Sequence, residues 1–125
     1  MTPATLPTTS HYRGDSWRDG VRDFGPVTFD GGPPPSPCGY VRMQFRNKET
    51  GALGYELTSV STPGKGTIVI DNQETWILRI PEQQLPLDVG SWVYDIEIYQ
   101  NADMATPPDT LWRGELNVIA DSTHD

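Results

Sequence analysis

Proline and glycine interrupt this chain so often that a helical fold is closed to it. Twelve of each occur in 125 residues. Inside a helix they are the two worst residues, costing about 3 and 1 kcal/mol relative to alanine. What survives between them is a series of short segments, and that pattern suits strands joined by turns. The length corresponds to one domain, because a chain of this size can bury a single core.

The strands can be read from alternation, since successive side chains of an extended backbone point to opposite faces. In Tyr40 to Arg46, Val41, Met43 and Phe45 alternate with Arg42, Gln44 and Arg46. In Ser91 to Tyr99, Trp92, Tyr94, Ile96 and Ile98 share one face, and Val93, Asp95, Glu97 and Tyr99 share the other. Leu111 to Ile119 puts Trp112, Gly114, Leu116 and Val118 together. Weaker signals come from a broken stretch anchored by Trp17, Val21, Phe24, Val27 and Phe29, and from Tyr55 to Ser59. Thr67 to Ile70 is a β-branched run ended by an Asp71-Asn72 turn, and Trp76 to Ile80 stops at Pro81. Residues 82–89 read as a connector with room for one helical turn around Leu85 and Leu87.

The expected fold is all-β: a single antiparallel β-sandwich, immunoglobulin-like, with about seven or eight strands. Its core is expected from Val41, Met43, Phe45, Ile68, Ile70, Leu78, Trp92, Tyr94, Ile96, Leu116 and Val118. Residues 1–11 read as an extended N-terminal arm, ordered only where a partner holds it. Residues 12–120 form the sandwich domain and 121–125 a polar tail. The Pro33-Pro34-Pro35 run belongs to a loop, because prolines donate nothing to a ladder and hold the backbone extended.

Net charge is −8, with 9 Lys and Arg against 17 Asp and Glu, so there is no basic footprint for nucleic acid. Arg42, Arg46 and Lys48 read as solvent positions along one strand. The single cysteine, Cys38, excludes an intrachain disulfide. His11 and His124 lie near opposite ends, which gives Cys38 no neighbouring base in the sequence and offers no zinc spacing. No catalytic residue, cofactor or metal is therefore assigned. Asp95 and Glu97 share a face at a separation compatible with the paired acids of a glycosidase, but read as a solvated pair. Arg13-Gly14-Asp15 spells an integrin-binding tripeptide and reads as a turn. No apolar stretch approaches the roughly 20 residues that span a membrane. Met1 to Ser10 lacks the basic and apolar regions of a signal peptide, so synthesis in a cytoplasm is expected. The tryptophans at 17, 76, 92 and 112 read as core; exposed in a row, they would instead make a platform for sugars.

Several stretches also carry a resemblance. Tyr12-Arg-Gly-Asp-Ser-Trp17 resembles a "Y-R-G-D-T-W" start, and Tyr40-Val-Arg-Met-Gln-Phe-Arg46 a "V-R-M-Q-F-R" strand. Leu87-Asp-Val-Gly-Ser-Trp-Val-Tyr-Asp-Ile-Glu97 resembles "L-x-A-G-x-Y-x-Y-D-I-E", and Trp112-Arg-Gly-Glu-Leu-Asn-Val118 resembles "Y-x-x-G-x-L-x-V". A closing Asp-Ser-Thr123 stands where related chains have "D-V-T". In this order, over residues 12–123, the blocks resemble a small β-sandwich domain of bacteriophage virions. That domain is similar to the N-terminal domain of upper baseplate and tail structural proteins. Ser36-Pro-Cys-Gly39 replaces the family's Asp-Leu-Thr/Ser-Gly turn.

The resemblance implies a non-enzymatic structural component of the particle (tail, baseplate or adaptor accessory) that works through protein–protein contacts. The alternatives are a capsid cement or decoration protein, and a glycan-binding adsorption module. Expected partners are other virion proteins and copies of itself, with neither nucleic acid nor membrane and with a host glycan only under the last alternative. The expected location is the virion, assembled in the host cytoplasm. Asp88, Gly90, Trp92 and Tyr94 have the spacing of the tyrosine corner of immunoglobulin-like sandwiches, with Trp in the Tyr position. Candidate assembly contacts are Pro3, Leu6, Pro7 and Tyr12 of the arm and Pro33, Pro34 and Pro35 of the loop.

Overall fold

The computed structural model describes residues 4–13, 15–17, 22–29, 31–34, 37–101, 103, 104 and 107–120. Expectations placed on Pro3, Gly14, Val21, Pro35, His124 and the 121–125 tail lie outside the described residues. The described residues contain no helix. Among the described residues twelve strands follow one another: β1 (Ala4–Thr5), β2 (Thr9–Tyr12), β3 (Ser16–Trp17), β4 (Arg22–Phe24), β5 (Tyr40–Asn47), β6 (Leu53–Thr58), β7 (Gly66–Thr67), β8 (Val69–Asn72), β9 (Ile77–Ile80), β10 (Gln83–Gln84), β11 (Gly90–Tyr99) and β12 (Asp109–Ile119).

The main sheet has the order β1-β12-β11-β5-β6-β7, with β2 also paired to β12. A second sheet runs β4-β9-β8, and β3 with β10 makes a two-stranded ribbon. Apolar side chains of the two larger sheets meet in one core, which makes the chain β-sandwich-like: Val41, Met43, Phe45, Ile96 and Leu116 from one side, Phe24, Leu78 and Ile80 from the other. The three segments with the clearest alternation, β5, β11 and β12, are adjacent in the middle of the main sheet. Their inward residues are almost fully buried, as the period of two requires.

The main sheet is mixed rather than antiparallel. Strands β1 and β2 run parallel to β12, and β7 runs parallel to β6. The N-terminal segment is thus no arm awaiting a partner: Ala4 lies opposite Trp112, Thr5 opposite Arg113, and Thr9 to Tyr12 opposite Leu116 to Ile119. The Leu6 amide donates to the Arg113 carbonyl at 2.8 Å, the Leu6 side chain packs on the core, and His11 is buried. Strand β12 would otherwise be a long edge with unpaired amides and carbonyls. Pro7 is tolerated because it falls between β1 and β2, where no ladder donor is needed.

Other departures have local causes. The Thr67–Ile70 run divides between two sheets: Ile68 sits in the crossover and is fully buried, Ile70 is only partly buried, and Val69 is exposed. Asp71 and Asn72 belong to β8. The turn follows, with the Asn72 Oδ1 accepting from the Glu74 and Thr75 amides at 2.9 and 3.1 Å. Trp76 precedes β9, at φ 55°. This left-handed conformation is costly for a bulky residue, but it carries the indole into the core, edge-on to Phe29 with ring centres 5.4 Å apart. Residues 83 and 84 pair with Trp17 and Ser16 as strand, so no helical turn forms there.

Gln83 also closes an edge. Its amide oxygen accepts from Thr67 N at 2.8 Å and its amide nitrogen donates to Thr67 O at 2.7 Å. One side chain thereby takes both backbone groups that a further strand would use.

Candidate functional site: the outer face of the main sheet

Strands β5, β11 and β12 present their second set of side chains outward. Across them Gln44, Asp95 and Arg113 lie in one row, Arg46, Val93 and Glu115 in the next, and Arg42 pairs with Glu97. Thr5 extends the first row onto β1 and Glu56 extends it onto β6. Most of these charges are paired. Arg42 donates to Glu97 at 2.9 Å and to the Tyr99 hydroxyl at 2.8 Å, and the Tyr99 hydroxyl donates to Glu97 at 3.2 Å. Glu56 accepts from Gln44 at 2.6 Å and pairs with Lys65. Lys48 bridges to Glu115 at 3.0 Å, and Arg46 donates to Gly51 O and Gln44 Oε1, each at 3.2 Å.

Arg42, Gln44 and Arg46 occupy the outward positions that alternation assigned them. Asp95 and Glu97 do share the outward face, but Glu97 is not solvated. Its side chain is 15% exposed and held by Arg42 and Tyr99. Glu56 is buried at 7% exposure because Lys65 folds over it. Burial works to raise the Glu56 carboxyl, yet the hydrogen bonds from Lys65 and Gln44 outweigh it and hold the group below the ordinary carboxylate range. A depressed folded value stabilises the protein above the unfolded value, and that contribution is lost as pH falls through the folded one.

Asp95 is different. Half-buried, its side chain forms no hydrogen bond or ion pair with a described residue, and the side chain of Arg113, directly opposite, forms none either. Desolvation, then the nearby Glu97 charge, pushes the Asp95 carboxyl up, against the pull of Arg113, Arg46 and Arg42. A raised carboxyl costs stability once pH exceeds the unfolded value, because the folded state holds the proton more tightly. In the dilute, monomeric chain Asp95→Asn is therefore expected to raise the melting temperature at pH 7 and to lose that advantage in acid. Paired thermal melts at pH 7 and pH 3.5–4, a range set by the usual Asp value of about 3.9, check this; a lower melting temperature at pH 7 would contradict it. Asp95 floors a groove of about 400 Å³ walled by Gln44, Arg46, Arg113, Glu115 and Thr5.

The corner residues lie at the entry to β11. Gly90, at φ 151°, starts the strand in a conformation that side chains rarely adopt. The Trp92 indole Nε1 donates to the Asp88 carbonyl at 2.9 Å, and Tyr94 packs on Phe45 with ring centres 5.5 Å apart. Of the other candidate contacts, Pro7, Tyr12 and Pro33 are exposed, while Leu6 and Pro34 are partly covered. Trp17, Trp76 and Trp92 are buried, and Trp112 packs on Phe24 at 5.3 Å, so they form no exposed aromatic row for a sugar. Cys38 is buried and its thiol is pushed up to about 11 by desolvation, which keeps it protonated and unreactive at neutral pH. The unpaired state of Asp95 and Arg113 had no signal in the sequence, because alternation gives a face but not which charges on it meet.

No family model, no curated protein and no solved structure matches this chain.

Proposed function

We propose that the protein is a non-enzymatic structural component of a bacteriophage particle, a tail, baseplate or adaptor accessory working through protein–protein contacts. The observation that carries this reading is where the resemblance blocks fall. Tyr40–Arg46, Leu87–Glu97 and Trp112–Val118 lie along β5, β11 and β12, the three adjacent strands at the centre of the main sheet. The ordered blocks thus describe one continuous piece of architecture rather than scattered likenesses. Two sheets facing each other across one core support an immunoglobulin-like sandwich. Glu97 supports the non-enzymatic part, because a carboxylate clamped by Arg42 and Tyr99 is poorly placed to exchange protons with a substrate.

Mass spectrometry of purified particles, with copy-number estimation, tests the proposal. The chain is expected in the particle at a fixed copy number; a few copies per particle indicate the tail, and tens to hundreds indicate capsid decoration. Its absence from purified particles would refute the reading.

A further inference from the structure

We infer that the outer face of the main sheet pairs with the same face of a second copy about a two-fold axis, each Arg113 entering the groove floored by the other copy's Asp95. The inference rests on the reading of the protein as a contact component and names its partner and surface.

Charge distribution selects this face. Of nine basic residues, five stand on it or reach it: Arg42, Arg46, Lys48, Lys65 and Arg113. They meet four acids, Glu56, Asp95, Glu97 and Glu115, so charge nearly balances there. The rest of the chain holds four basic and thirteen acidic residues. Off this face the described side chains include two basic and eight acidic residues, so copies that meet through those residues repel, whereas this face can meet itself.

On this face Asp95 and Arg113 are the charged side chains that form no hydrogen bond or ion pair with a described residue; they have opposite signs and are direct cross-strand neighbours. In a two-fold contact, if residue i meets j then j meets i. An exposed arginine beside a groove with a carboxylate at its floor is therefore both key and socket. The groove, about 400 Å³, is large enough for a guanidinium, whose planar fork suits a carboxylate. Area is also sufficient. Strands β1, β12, β11, β5 and β6 hold 37 residues; at about 3.3 Å per residue and about 4.8 Å between strands they offer roughly 600 Å² per copy, the lower end of specific interfaces.

Sedimentation of the purified full chain over roughly 1 µM to 1 mM tests it. The native protein should dimerise with rising concentration. Arg113→Asp and Asp95→Arg should each be monomeric alone, because each brings like charges together twice. Mixed one to one they should form a heterodimer, because every Arg then meets an Asp. Should Asp95→Arg fail to fold, Asp95→Asn and Arg113→Gln serve instead, each expected to weaken the dimer at least about tenfold. A native chain that stays monomeric, single variants that dimerise like the native protein, or folded variants whose mixture stays monomeric would each overturn the inference. A monomer that is nonetheless found in particles would refute the pairing and leave the functional reading standing.

Discussion

Trp92→Ala is expected to destabilise the isolated chain by about 3–5 kcal/mol, the usual range for removing a large buried aromatic. The indole is 7% exposed and lies over Gly54, where an added Cβ would come within 2.3 Å of Trp92 Cζ3, 2.6 Å of Cη2 and 2.9 Å of Leu87. Removal would open a void between β6 and β11 that glycine cannot fill. It would also take away the donor that ties β11 to the Asp88 carbonyl. Trp92→Phe separates the two contributions: it keeps most of the packing and loses the hydrogen bond, worth about 1 kcal/mol net. Urea denaturation of both variants measures the difference. An alanine variant with an unchanged midpoint would mean that this corner does not hold the sheet.

Removing residues 1–12 is expected to be nearly as damaging, with a loss of about 3–5 kcal/mol out of a typical total of 5–15. A polar arm would be dispensable to the fold, but these residues supply the parallel partner of β12. Without them the outer ladder of β12 loses its hydrogen bonds, and the Leu6 and His11 side chains no longer cover the core beside Val118. The melting temperature should fall by the order of 10–20 °C. A truncated chain that melts with the full-length one would show that the segment merely lies on the sheet.

What the sequence disclosed depended on how many faces a strand buries. Strands β5, β11 and β12 are covered on one side and outward on the other, so alternation declared them, and ten of the eleven expected core residues are buried. Ile70 is the exception, half-covered because the chain changes sheet at Ile68 and the alternation restarts. The edges were illegible for a different reason. Strands β1, β3, β7 and β10 are two residues long, too short for any period, and they exist because a neighbouring strand needs partners. Trp76 reads as the first residue of a strand by composition, yet takes a left-handed backbone that only tertiary packing selects. At the candidate face, the outward side was legible. The clamp on Glu97 and the isolation of Asp95 were not, because both depend on cross-strand register.

The way the main sheet ends determines how the molecule can be stacked into something larger. At one end the amide of Gln83 occupies both hydrogen-bonding groups of Thr67; at the other, the chain's own beginning lies along its final strand. The outer strands at that end are only two and four residues long with Pro7 between them, so the main sheet offers little edge on which to grow sideways by adding strand to strand. The route left open by the main sheet is broadside, through side chains, where a contact can close on itself and stop.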